Sequence, residues 1–226
     1  MLGKYCAVIV AALIATPAFA GLLIFSSLSP EEARQIKRLA VVSETGDTVH
    51  GKTVGLTIFQ NKSFEALPPD WHIDATITKH LVEQIAAGGK IGGEAIAWVP
   101  STKKESDILQ QAGAQGFDAV LVVLPEENAH DRTLGSGVTL LHRKLPGVDK
   151  VHPCIVGVVR VFRVSDGKRI GASVLEPCSY ARNTLVWHET WEAFSDEEKQ
   201  AALAALQEQS LERIRKALVE LKLSDR

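Results

Sequence analysis

The sequence predicts an α/β fold: a mixed sheet of parallel strand–helix units followed by an antiparallel meander, with a long C-terminal helix packed on the sheet. Three observations predict it. Ala119 to Pro125 is free of charge, and Val120 to Leu124 is an unbroken aliphatic run. Apolar and polar residues do not alternate there, so both faces of this strand must be covered, as in a sheet with helices on it. Helix-period segments alternate with short apolar runs before it, whereas short β segments and Gly-containing turns follow it. It is therefore the central strand.

The elements follow in order. Ser29 is a helix N-cap, with Pro30 at the first helical position and Glu31 and Glu32 in the first turn, which favours a short helix to about Arg38. Leu39–Ser43 and Thr53–Phe59 read as two strands of a hairpin around Thr45-Gly46-Asp47. Asp70 can cap the next helix, whose Ile73, Ile77, Leu81 and Ile85 line one face and whose end is marked by Gly88-Gly89. A strand over about 94–99 and a helix starting at Pro100-Ser101, with Ile108, Leu109 and Ala112 inward, lead to the central strand. This strand–helix–strand–helix–strand unit is expected to be parallel and right-handed.

Gly137–His142, Cys154–Val164 and Lys168–Glu176 form the antiparallel part, the last two joined by Ser165-Asp166-Gly167. If Val164 faces Lys168, paired positions sum to 332 and Cys154 falls opposite Cys178. Two cysteines so placed predict a disulfide in an oxidising compartment; two buried thiols, off by one residue, are the alternative. The chain closes with a helix opened by the Ser195/Glu198 capping box, carrying an apolar stripe through Leu203, Leu206, Ile214, Leu218 and Leu221. Ser210 falls where a coiled coil would want an apolar side chain, so the stripe is assigned to the protein's own sheet.

The N-terminus has the three-part layout of a secretory signal peptide. Lys4 precedes an apolar run from Tyr5 to Ile14, Pro17 breaks it, and Ala18-Phe19-Ala20 supplies the small residues of a cleavage site after Ala20. An uncleaved anchor is the competing reading, because Tyr5 to Leu28 carries no charge. Cleavage leaves residues 21–226 as one periplasmic or secreted domain; loss of Lys4 takes the net charge from −2 to −3. With 46% hydrophobic and 23% charged residues and near-neutral charge, the composition is that of a globular protein and lacks the basic excess that nucleic acid requires.

Motifs of chemistry are sparse. Gly88-Gly89-Lys90-Ile91-Gly92-Gly93 follows a helix and precedes a strand, the reverse of a phosphate cradle, and reads as a C-cap and turn. Gly135-Ser136-Gly137 lacks the spacing of a nucleophile elbow. The seven histidines form no metal-ligand motif, and no cofactor is implied. Ligands of open α/β sheets bind beyond the carboxyl ends of the strands, so Glu126 and His130, after the central strand, are candidate ligand-binding residues. Asn61 and Ser101 are placed on the same crevice edge by the same argument. A solvated acidic turn is the plainer reading of Glu126-Glu127 to His130-Asp131. Trp187 and Trp191, at helical spacing, read as core or as a lid on the sheet edge, with a stacking platform for sugar or peptide as the alternative.

Lys37 to Val42 opening the sheet, Gly116 to Val123 closing the unit, and the strand–turn–strand around Asp166-Gly167-Lys168 resemble the small α/β domains of bacterial envelope proteins. The N-terminal domain of TolB and the curli secretion lipoprotein family are similar in outline over roughly Lys37 to Glu176. The chain departs from them in having no β-propeller and no lipobox cysteine. The resemblance implies a fold and a role in contacting another envelope protein, with membrane contact only if the N-terminal segment is retained. It carries over no catalytic residues. Two functions are therefore expected: a non-enzymatic envelope binding or assembly module, or a small periplasmic hydrolase or ligand-binding enzyme with its site at the carboxyl ends of the parallel strands.

Overall fold

In the computed structural model, which describes residues 26–102, 104–126, 135–175, 178 and 185–225, one long strand joins two halves of a mixed sheet. The elements are α1 (Pro30–Gln35), β1 (Arg38–Ser43), β2 (Val49–Val54), β3 (Lys62–Ala66), α2 (Ile73–Gly88), β4 (Glu94–Ala97), α3 (Glu105–Ala114), β5 (Ala119–Pro125), β6 (Gly137–Leu145), β7 (Val148–Arg163), β8 (Arg169–Val174) and α4 (Asp196–Glu220). The strand order is β3-β2-β6-β7-β5-β1-β4, with β8 on β7. The 16 residues of β7 pair first with β6, over Val148–Val156, and then with β5, over Gly157–Arg163.

The parallel half is built from β1, β4 and β5, with β1 in the place expected for 53–59. β1 lies between β4 and β5 and is parallel to both. The two crossovers leave β1's neighbours in opposite directions, which at constant right-handedness puts their helices on opposite faces. Ala119, Leu121 and Val123 of β5 accordingly pack into the cluster that holds α2 and α4, while Val120 and Val122 pack against Ile108 and Ala112 of α3. Val120 through Val123 are at most 1% exposed, each worth about 1.5–3 kcal/mol over an exposed side chain. The central strand is buried on both sides.

Helix ends obey local chemistry. Ser29 and Ser195 each form a complete capping box, with Glu32 and Glu198 respectively. Gly89 adopts the left-handed conformation (φ 58°) that ends α2, its N–H donating to the Ile85 carbonyl, so the glycine run is a C-cap and turn. In α4, Ala202, Leu206, Gln209, Ser210, Ile214 and Leu218 are buried; Ser210 tolerates this because its hydroxyl donates to the Leu206 carbonyl at 2.8 Å.

The disulfide forms, between Cys154 and Cys178. The register reaches it by a compensation. Beside the turn, Phe162 pairs with Arg169; a bulge then shifts the ladder, and Val161↔Gly171 through Val158↔Val174 keep the sum of 332 that brings Cys154 opposite Cys178.

Several expectations fail. Leu39–Ser43 and Thr53–Phe59 do not make a hairpin: β1 pairs only with β4 and β5, and β2, which ends at Val54, pairs with β3 and β6. Aliphatic β1 is best buried between parallel neighbours, whereas half-polar β2 alternates between buried and half-buried positions, the pattern of a strand with one inner face. The first helix stops at Gln35, α3 begins at Glu105 rather than Ser101, and α2 is capped at His72, with Asp70 left-handed (φ 62°). Trp187 and Trp191 do not share a helix: only Trp191–Ala193 turns, as a 3-10 segment. The signal peptide and the alternative anchor lie outside the described residues. Among the described residues, no helix is long and apolar enough to cross a membrane.

Candidate functional site

Of the predicted ligand-binding residues, Ser101 and Glu126 close the carboxyl ends of β4 and β5, on either side of β1. The Ser101 N–H donates to Gln111 Oε1 at 3.0 Å. Glu126 pairs with Arg160, which also reaches Glu105 at 3.2 Å. Asn61 is not beside them: it follows β2, which pairs with β6 further along β7 and not with β1, and so it lies at the far end of the second half-sheet. His130 lies outside the described residues.

A crevice of about 560 Å³ does open where the sheet geometry expects it, lined by Ser43, His72, Asp74, Thr78, Trp98 and Ser101 among others. Its central carboxylate is spent on structure. Asp74 Oδ1 accepts from the hydroxyls of Ser43 and Thr45, each at 2.6 Å, and from the Thr45 N–H at 2.9 Å; Oδ2 accepts from the Gly46 N–H at 2.9 Å. The Thr78 hydroxyl accepts from the Ser43 N–H. Asp74, in the first turn of α2, thus staples the loop after β1 to the helix. A carboxylate that already accepts four hydrogen bonds from its own loop is a weakened general base, since those donors stabilise its charged form.

The far end of the second half-sheet has a different character. Register places Val54 of β2 beside Arg143 of β6, and Thr53 beside Lys62 of β3. The loop 55–61 and the turn between β6 and β7 therefore emerge side by side. The loop holds a 3-10 turn, Ile58–Gln60, and is hydrogen-bonded internally at its two ends. The Gly55 N–H donates to Asn61 Oδ1 at 3.1 Å and the Leu56 N–H to Gln60 Oε1 at 2.9 Å, while the N–H groups of Gln60 and Asn61 donate to the carbonyls of Thr57 and Ile58. Its apolar side chains stand outward: Leu56, Ile58 and Phe59 are 63%, 77% and 92% exposed. Asn61 is thus a clamp that shapes this loop.

Beneath the loop lies a rigid aromatic base. Trp187 stacks on His142 at 5.0 Å and on Phe64 at 5.5 Å, and Trp191 and Phe194 extend the cluster. His142, buried on β6, donates from Nε2 to Asp149 at 2.6 Å, with Nδ1 3.3 Å from the Thr53 hydroxyl. Gly51 makes room for Phe64, whose ring would collide with any Cβ there. The two tryptophans are therefore core and lid material.

Charge around the loop is mainly positive. Residues 55–62 and 143–150 contain four cations, Lys62, Arg143, Lys144 and Lys150, and one carboxylate, Asp149. Glu189 faces Lys62, whose hydrogen bond and charge hold its carboxyl below the ordinary range, with Lys144 adding to the effect. Reading the sequence as a strand through Phe59 missed this feature. The available signal was Gly55-Leu56-Thr57-Ile58-Phe59-Gln60-Asn61: an uncharged run between Lys52 and Lys62 with no period of two, opened by Gly and closed by Asn, both loop formers.

No family model matches the sequence, and no curated protein matches it. Among solved structures, the chain is similar to the PelC dodecamer from Paraburkholderia phytofirmans, with a TM-score of 0.43 and 14% identity over 87% of this chain and 94% of that one. It is also similar to a protein from Xanthomonas campestris of family model DUF330, with a TM-score of 0.42 and 10% identity over 87% of this chain and 91% of the other. Both scores are too low to assign a family or a function.

Proposed function

We propose that this chain is a non-enzymatic binding or assembly module of the bacterial cell envelope, exported to the periplasm and working through the end of the sheet that carries the loop 55–61. The observation that carries this reading is the outward presentation of Leu56, Ile58 and Phe59 on a turn whose two ends are clamped by the Asn61 and Gln60 side chains. Apolar side chains held this far into water cost solvation free energy and are kept where something covers them. The leader-like N-terminus and the Cys154–Cys178 disulfide support an oxidising compartment. The outline resemblance to envelope α/β domains points the same way. The four hydrogen bonds that Asp74 accepts from the loop after β1 support binding over turnover at the crevice there.

A photo-crosslinking amino acid in place of Phe59, in the exported protein in cells, tests the reading. Adducts with an envelope component are expected at position 59 and not at Lys168, an exposed position in the distant β7–β8 turn. Equal labelling at both positions, or a turnover activity abolished by Glu126→Ala with folding intact, would overturn it.

A further inference from the structure

We infer that the covering surface is an anionic lipid bilayer, into whose interface Leu56, Ile58 and Phe59 insert while Lys62, Arg143, Lys144 and Lys150 face the headgroups; this rests on the binding reading above and names its partner. Three observations select a bilayer over a protein groove. The apolar side chains project singly from a convex turn, Phe59 at 92% exposure, so no neighbouring wall offers the shape complementarity of a protein interface. A bilayer interface accepts projecting side chains without matching their shape.

Entry into a medium poor in hydrogen-bond partners requires that backbone groups bring their own. Two positions at each end of the loop do so: the N–H groups of Gly55 and Leu56 and those of Gln60 and Asn61 all donate within the loop. In an ordinary solvated loop water would meet this need, and the Asn61 and Gln60 side chains would be free to point outward.

Charge supplies the third observation. The full chain is net negative at −2, yet residues 55–62 and 143–150, with Glu189 against Lys62, bring together four cations and two carboxylates. Positive charge is thus concentrated beside the apolar turn on a molecule that anionic surfaces would otherwise repel. Basic side chains around an inserted apolar group are the complement of a bilayer bearing acidic headgroups, and the attraction is screened by salt.

Vesicle sedimentation of the exported, purified protein tests this, using phosphatidylcholine alone and phosphatidylcholine with about 30% phosphatidylglycerol. The expected result is binding about tenfold tighter to the anionic vesicles, weakened by salt, and lowered about tenfold by Ile58→Ser/Phe59→Ser. Lys144→Glu should reduce the anionic preference and leave the weak binding to neutral vesicles unchanged. All three positions are exposed, and an unchanged near-ultraviolet circular dichroism spectrum establishes that the variants fold. Absence of vesicle binding, or binding that the double variant and salt leave unaltered, overturns the lipid assignment. If vesicles are not bound while a crosslinker at position 59 still captures an envelope protein, the lipid partner is wrong and the binding module stands; loss of both removes both.

Discussion

Replacing Cys154 and Cys178 together by Ala should destabilise the oxidised protein by about 3.5 kcal/mol. The figure follows from the sequence separation of 24: cross-linking so long a loop removes about 12 cal/mol/K from the unfolded ensemble. Native packing changes little, because Cys154 is fully buried among Leu141, Val156 and Val54, and Ala keeps its Cβ there. The penalty therefore falls mainly on the denatured state. For a chain of this length it corresponds to a fall of about 7–14 °C in Tm. Thermal and urea melts of parent and double variant, both without reductant, measure it. A shift below about 1 kcal/mol would refute the reasoning, as would two alkylatable thiols in the exported protein.

Asp74→Ala should cost about 2–4 kcal/mol in a urea melt, because it strands the nearly buried hydroxyls of Ser43 and Thr45 and two backbone donors; Asp74→Asn, which retains one acceptor oxygen, should cost less. A loss within error for Asp74→Ala would mean that the loop after β1 is held by something else. His80 on α2 should make stability fall on mild acidification. Burial is the main cause that pushes its pKa below the ordinary 6.5; Glu83 opposes the shift and Arg215 on α4 reinforces it. A histidine with a depressed folded pKa binds its proton more readily when unfolded, so stability is full above the unfolded pKa and declines as pH falls from about 6.5 towards the folded value. His80→Gln should therefore reduce the difference between urea midpoints at neutral and mildly acidic pH, and an undiminished difference would assign the effect to another group.

Much of the fold was legible because its signals are local. The unbroken aliphatic run of β5 declares burial on both faces without reference to any neighbour, and the capping boxes of α1 and α4 close within four residues. The disulfide was legible through simple register counting, although the ladder reaches the expected pairing only after a bulge between Val161 and Phe162. Strand partnership was not legible. β1 and β2 are separated by a short turn-like segment, which suggests a hairpin, but the residues that decide their partners lie far along the chain in β4, β5 and β6. The site suffered the same fate: Asn61 was placed beside Ser101 on the assumption that adjacent segments pair, and the register carries β2 beyond β1 along β7, so that Asn61 lies at the far end of the second half-sheet.

Taken alone, then, the amino-acid order determined the class of fold, the helix boundaries marked by capping boxes, the meander and its cross-link, since hydrophobic period, caps and turn residues act over a few positions. Only the tertiary structure decided that β7 would join two half-sheets, that Asp74 would be consumed in stapling a loop, and that Leu56, Ile58 and Phe59 would stand in water beside the cations of the β6–β7 turn. The physical reason is that a side chain's exposure depends on what distant segments leave uncovered. An apolar triplet looks the same in sequence whether a helix lies over it or nothing does.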